Sequence, residues 1–90
     1  MYKLTYSNKF KKSLKKCEKR GLNVELLRET LNILVETGTL PSKYRPHKLV
    51  GKYAGAWECH ITPDWLLVWE QYDDELLLLL IDTGSHSDLF

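Results

Sequence analysis

The sequence predicts an α+β domain, in which a small, mainly antiparallel sheet carries an N-terminal helical hairpin on one face. Two observations lead to this class. Apolar residues recur with helical spacing along two segments between positions 7 and 38, and short strand-like segments precede and follow that stretch. The 90 residues have the length of one domain, so we expect a single domain over residues 1–90.

The first strand and the first helix follow one another directly. Tyr2–Tyr6 alternates loosely between apolar and polar residues and reads as a short strand. Ser7 can cap a helix that runs to about Arg20, and Gly21 ends it because glycine adopts the left-handed conformation without a steric penalty. One apolar stripe, with spacings of four and three residues, consists of Phe10, Leu14 and Cys17.

A second helix is predicted from about Val24 to Glu36. Asn23 can cap its start, Gly38 ends it, and Pro41 prevents a restart. The connection between the two helices is short, so we expect an antiparallel hairpin. Its apolar stripe contains Val24, Leu27, Leu31 and Leu34.

The remainder of the chain is predicted to consist of strands. The leucine run could be helical by periodicity alone, but its short length and flanking turns favour a buried central strand. Asp73-Asp74 is a turn between the last two strands, which form a hairpin. The four predicted strands are His47–Val50, Ala56–His60, Trp65–Tyr72 and Leu76–Asp82.

Charge is distributed unevenly along the chain. All 13 Lys and Arg residues lie between Lys3 and Lys52, together with only 4 of the 12 acids. Such a split favours a polyanionic partner for the first half, although a solvated surface is the simpler alternative. Cys17 and Cys59 match no zinc or redox spacing. No signal peptide is evident and no apolar run could span a bilayer, so we expect a cytoplasmic protein without a membrane partner.

Three histidines lie at predicted element ends: His47, His60 and His86. Histidine both accepts and donates protons near neutral pH. Cleaving RNA without a metal needs a base for the ribose 2′-hydroxyl, an acid for the departing 5′-oxygen and cations for the phosphate. A zinc site is the other use of three histidines. No close pair with zinc-ligand spacing occurs, so neither a metal nor a cofactor is expected.

Several candidate residues also have purely structural interpretations. Asp64 follows Pro63 and is a common turn residue. Trp65 can simply open a core strand. His86 lies in a stretch where chains often fray, yet Leu89 and Phe90 form an apolar pair that could hold it down.

Three segments together resemble the YafQ-type toxins of the RelE/ParE superfamily. They are Pro46–Gly51, Trp57–Trp65 and Thr83–Phe90. The resemblance implies a RelE-like fold and an mRNA endoribonuclease from a bacterial toxin–antitoxin pair. Such toxins act on mRNA in the ribosomal A site and are silenced by a cognate antitoxin, so the implied partners are mRNA, the ribosome and that antitoxin.

The resemblance also implies site residues. Catalytic or positioning roles fall on His47, His60, Asp64 and His86, with Trp65 and Phe90 as substrate contacts. We expect His86 to be the general acid and His60 or Asp64 to take the 2′-hydroxyl proton. The phosphate charge falls to Arg45, Lys48 and Lys52, because no Lys or Arg follows Lys52. This scarcity of late cations favours activity only within the ribosome.

Two other functions remain open. One is a ParE-like toxin that binds and inhibits a topoisomerase without catalysis, because such relatives share the fold. The other is a protein of the same fold that has lost its chemistry and acts only by binding. The histidine set favours the ribonuclease.

Overall fold

The computed structural model describes residues 1–90, and every predicted helix and strand has a counterpart in it. The elements, in chain order, are β1 (Lys3–Tyr6), α1 (Asn8–Lys19), α2 (Val24–Thr37), β2 (His47–Lys48), β3 (Trp57–Thr62), β4 (Trp65–Tyr72), β5 (Leu77–Gly84) and α3 (His86–Leu89). No helix is long and apolar enough to cross a membrane.

The helix ends follow the predicted caps. The Ser7 hydroxyl accepts a hydrogen bond from the backbone N–H of Phe10 at 3.0 Å, and the Asn23 side chain accepts one from Glu25 at 3.0 Å. Gly38 has a φ of 74°, the left-handed conformation that ends α2. Local chemistry therefore sets the boundaries of both helices.

The five strands form one mixed sheet in the order β1-β5-β4-β3-β2. Every neighbouring pair is antiparallel except β1 and β5, which run parallel with Lys3 beside Leu77 and Tyr6 beside Leu80. The α+β class with a mainly antiparallel sheet is confirmed. The leucine run is indeed a central strand, because β5 has a neighbour on each side.

The two faces of the sheet are covered differently. α1 and α2 bury one face in the main core, where Phe10 and Leu34 meet Cys59 and Leu80. The opposite face carries a smaller buried cluster, which consists of Ala56, Leu66, Val68 and Leu89. Since Leu89 belongs to α3, the second cluster holds that short helix against the sheet.

Two features differ from the sequence prediction. β2 contains only His47 and Lys48, because the chain turns at Gly51–Tyr53. Beyond β2, Leu49 donates its N–H to the Ala56 carbonyl at 2.8 Å and accepts from the Gly55 N–H at 3.4 Å. The second feature is the stretch after β5, for which the sequence indicated only that Leu89 and Phe90 could hold it in place. It forms α3, whose first turn contains His86.

Candidate active site

Helix α3 places His86 and Phe90 on the face of the sheet opposite the helical hairpin. Ser85 and Asp88 form a reciprocal capping box, in which the Ser85 hydroxyl accepts from the Asp88 N–H and the Asp88 carboxylate accepts from the Ser85 N–H. The rings of His86 and Phe90 lie 5.1 Å apart between centroids. A short helix that frays in isolation is thus fixed at its start.

Asp88 also ties α3 to α1. Its carboxylate accepts two hydrogen bonds from the Arg20 guanidinium, at 2.5 and 3.1 Å. These bonds, with the Ser85 backbone N–H, hold the pKa of Asp88 well below its usual range. Gly84 precedes this arrangement with a φ of 155°, and a Cβ there would lie 2.8 Å from an Asp88 oxygen. Only glycine fits at that position.

A shallow depression of about 450 Å³ lies beside α3. Two of the three histidines, His47 and His86, line it, although they are 39 positions apart in the sequence. The remaining lining residues are Lys48, Leu49, Val50, Glu58 and Phe90. The structure thus brings the predicted acid together with a second imidazole and an aromatic ring.

His47 is held by two contacts of different kinds. Its Nδ1 lies 2.8 Å from the carbonyl oxygen of Arg45, which can only accept, so Nδ1 carries a proton. Its Nε2 lies 3.2 Å from Oε1 of Glu58. That second contact needs one more proton, on either the imidazole or the carboxyl group. His47 and Glu58 therefore form a pair that can hold or release a proton at the wall of the depression.

Glu58 is a site residue that the sequence reasoning missed. It is directly opposite His47 in the β2–β3 register, is only 4% exposed, and its Oε2 has no hydrogen-bond partner. A buried, half-satisfied carboxylate is costly, which points to a functional role. One sequence signal could have indicated Glu58. Side chains alternate along a strand, so Glu58 falls on the same face of the sheet as His60.

His60 and Asp64 lie beside the depression rather than in its wall. His60 is on β3, two residues beyond Glu58 on the same face, and its Nδ1 is 3.4 Å from the carbonyl oxygen of Pro63. Asp64 is exposed in the turn between β3 and β4. The structure gives neither of them a contact with His47 or His86.

Trp65 does not fit the expected substrate contact. Its side chain is 1% exposed, and its indole N–H donates to the Thr83 hydroxyl at 2.8 Å inside the main core. Trp65 therefore opens a core strand, as its structural interpretation predicted, and its indole packs in the main core between the helices and the sheet.

The three predicted cations are near the depression but differ in placement. Arg45 is exposed and contributes its carbonyl oxygen to His47. The Lys48 ammonium lies 5.7 Å from the Trp57 ring, and the Lys52 ammonium lies 5.6 Å from the Tyr53 ring. Their positive charges therefore stand at the rim rather than at the histidines.

A second depression of similar volume, about 430 Å³, lies on the other side of β2 and β3. Stacked Trp57 and Trp69 rings form part of its wall, 6.2 Å apart between centroids. Polar groups in its wall form hydrogen bonds with one another; the Gln71 amide, for example, donates to the Asp73 carboxylate at 2.9 Å. It contains no histidine, so proton transfer favours the depression beside α3. No three His, Cys, Asp or Glu residues cluster so as to hold a metal ion.

Comparison with known proteins assigns the arrangement to a family. Residues 2–90 match the family described as a bacterial toxin of a type II toxin–antitoxin system, YafQ. A relative from Escherichia coli (strain K12), named mRNA interferase toxin YafQ, is 33% identical over 88 residues, which cover 97% of this chain and 94% of that protein.

Solved structures agree over the whole chain. A metal-bound toxin from Helicobacter pylori is 39% identical, with a TM-score of 0.90 and complete coverage of both chains. The E. coli DinJ–YafQ complex contains a chain that is 31% identical, with a TM-score of 0.89, covering 100% of this chain and 99% of that one. Sequence and backbone geometry thus point to the same family.

Proposed function

Because the chain belongs to the family of YafQ toxins of bacterial type II toxin–antitoxin systems, we propose that it is an endoribonuclease that cleaves mRNA. The observation that carries the proposal is the meeting of His86, Phe90 and the His47–Glu58 pair in one depression. Metal-independent cleavage of a ribonucleotide requires a proton acceptor and a proton donor, and an aromatic ring can hold the nucleotide in line.

The first step is attack by the ribose 2′-oxygen on the adjacent phosphorus. Nε2 of His47 accepts the 2′-hydroxyl proton once its contact with Glu58 opens, because the Arg45 carbonyl already engages Nδ1. The neighbouring carboxylate then stabilises the positive charge that the ring gains. The bond to the 5′-oxygen breaks as the new bond forms. The products are a 2′,3′-cyclic phosphate and a 5′-hydroxyl end. His60 or Asp64 is the alternative proton acceptor.

His86 supplies the proton that the departing 5′-oxygen takes up. Its ring is exposed at the rim and stacks obliquely on Phe90, which leaves its outer nitrogen free for a substrate. Phe90 is 55% exposed, so a nucleobase can stack on it and align the phosphate with the imidazole. Lys48 and Arg45, near the same rim, contribute positive potential at the phosphate.

The ribosome supplies what the depression lacks. The site is shallow, and only rim lysines face the phosphate charge. Cleavage in the ribosomal A site, within the cytoplasm, provides a positioned mRNA strand and additional cations. The E. coli complex contains the antitoxin DinJ, and we propose that a cognate antitoxin silences this chain as well. The alternative of a topoisomerase inhibitor gains no support, because the curated relatives bear the name of mRNA interferases.

The decisive experiment combines induced expression with mapping of transcript 5′ ends. His86→Ala should lower the cleavage rate by about 10²–10⁴-fold, the usual contribution of a general acid. Ser87→Ala, on the exposed side of the same helix, is the matched control and should cleave as the wild type does. Undiminished cleavage by His86→Ala, in protein with an unchanged melting temperature, would contradict the proposal.

A further inference from the structure

Helix α1 carries a basic stripe that faces α3 rather than the core. The apolar stripe of Phe10, Leu14 and Cys17 points into the main core. Beside it, four basic residues follow the helical spacing of three and four positions. We call them the α1 stripe: Lys9, Lys12, Lys16 and Arg20.

The two outer members of the α1 stripe are already paired. The Lys9 ammonium lies 3.4 Å from the buried carboxylate of Asp82 and donates to the Tyr53 hydroxyl at 3.1 Å. Its pKa is raised, first by that hydrogen bond and then by the charge of Asp82. Arg20 binds Asp88, as described above. Each outer cation therefore neutralises one carboxylate.

The two inner members have no such partner. Lys12 and Lys16 are exposed and take part in none of the ion pairs of the molecule. Both line a cleft of about 270 Å³ between α1 and α3, in which no lining residue is hydrophobic. Because Asp82 and Asp88 at its floor are offset by Lys9 and Arg20, the cleft presents two uncompensated ammonium groups.

The cleft adjoins the depression through Tyr53. The Tyr53 ring meets Phe90 edge-on at 5.8 Å between centroids, while its hydroxyl contacts Lys9 at the mouth of the cleft. Lys52 adds a third ammonium 5.6 Å from the same ring. Phe90, Tyr53 and the α1 stripe thus form a continuous path of aromatic rings and cations around α3.

We propose that this cleft binds backbone phosphates of the RNA strand whose scissile phosphate lies in the depression, with Tyr53 at the crossing between the two. The inference rests on the proposed function and extends it to nucleotides that flank the cleavage position. Alternating aromatic rings and lysines are typical of surfaces that follow single-stranded nucleic acid. An acidic protein segment fits less well, since protein interfaces centre on apolar anchors and this cleft offers none.

The test compares two double variants with the same change in charge on the same helix. Lys12→Gln with Lys16→Gln removes the unpaired cations of the cleft, and Lys11→Gln with Lys15→Gln removes two exposed lysines on the other side of α1. The probe is a single-stranded RNA with methylated 2′-hydroxyls, which binds without being cut. Its affinity is measured between about 50 and 200 mM salt.

We expect the cleft variant to reduce the magnitude of the negative slope of log affinity against log salt by about 1.4, as two lost phosphate contacts imply for a single strand. The control variant should change it far less. When the probe is shortened one nucleotide at a time from one end, the affinity of the wild type for it should fall until it equals the affinity of the cleft variant. Equal losses for both variants, or a cleft variant that binds as the wild type does, would overturn the inference.

A separate arm measures association with vacant ribosomes. If the cleft variant loses ribosome binding but retains the binding of the short RNA, the cleft holds ribosomal RNA and the inference is wrong. Failure of the proposed function gives a different result. In that case the wild type cuts no mRNA on ribosomes, while the probe still distinguishes the two double variants. Melting temperatures of both variants exclude unfolding as a cause.

Discussion

Glu58 and His47 face each other across β3 and β2, and one oxygen of the Glu58 carboxylate has no donor within the protein. A carboxylate in this position can hold the His47 ring in place and accept part of the positive charge that the ring gains with a proton. We therefore propose that Glu58 acts with His47 in accepting the proton. His60, which is bonded to a turn carbonyl, has no comparable partner.

We predict that Glu58→Gln lowers the rate of mRNA cleavage by about 10²-fold or more, because it keeps the shape of the side chain but removes its charge. The loss should appear in kcat rather than in KM, since Glu58 is too deeply buried to contribute much to binding. Single-turnover cleavage on programmed ribosomes measures this difference.

His60→Ala and Asp64→Asn are the comparison variants for that measurement. Both are expected to retain more activity than Glu58→Gln, because neither side chain lines the depression. A fully active Glu58→Gln together with an inactive His60→Ala or Asp64→Asn would move the proton acceptor to the β3–β4 turn.

Candidate residues differed in how readily the sequence indicated them. His47 and His86 could be selected as candidates because histidine is suited to proton transfer and both lie at the ends of predicted elements. Glu58 could not, because its burial depends on the pairing of β2 with β3. Trp65 was ambiguous for a related reason, since burial and substrate stacking use the same aromatic side chain and only the position of the helical layer decides between them.

Helix α3 depends on contacts from outside itself, since a four-residue helix has little intrinsic stability. Asp88 supplies two of these contacts, one to the Ser85 backbone and one to Arg20. Because folding holds the Asp88 pKa below its ordinary value of 3.8, the ionised carboxylate stabilises the folded state. This contribution is present above pH 3.8 and is lost as the pH falls through the lower, folded value.

We predict that Asp88→Asn lowers the free energy of unfolding by about 1 kcal/mol at neutral pH, as the loss of a capping contact usually does. The difference from the wild type should persist at pH 5 and shrink only in strong acid. Urea unfolding at several pH values tests this sign, with Asp74→Asn, an exposed residue of the β4–β5 turn, as the control. A difference that grew on acidification would contradict the assignment.

The larger elements were predictable because their end signals are local. Ser7, Asn23 and Gly38 act on backbone groups within a few positions, so both long helices begin and end where their caps indicate. α3 was not predicted although its capping-box pair, Ser85 and Asp88, is local. A four-residue helix also needs distant support, here from Arg20, 68 positions away. β2 is shorter than predicted because the chain turns at Gly51–Tyr53, soon after it meets β3.

The burial of the two cysteine thiols reflects the packing of the whole molecule. Cys17 and Cys59 are free and buried, and burial raises the pKa of Cys59 from its ordinary 9.0 to about 12. A raised thiol pKa means that the neutral form favours folding. This stabilisation is complete below pH 9 and is lost as the pH rises towards 12.

We predict that a thiol reagent at about pH 8 labels the native protein at least 10²-fold more slowly than the denatured protein, because few thiolates form and both sulfurs are covered. Mass spectrometry of timed samples measures the rate for each cysteine. Rapid native labelling of Cys59 would show that β3 opens independently of the rest of the sheet. In Cys59→Ala the free energy of unfolding should fall less steeply as the pH rises above 9.

The parallel pairing of β1 with β5 has a consequence for how the chain is made. β1 consists of residues 3–6, yet its only strand neighbour is residues 77–80, and the helix that bears His86 follows immediately after. During translation the first strand must wait, unpaired, until almost all of the remaining chain has left the ribosome. Such distant pairing also slows folding. The depression that His86 lines can therefore form only after synthesis is almost complete.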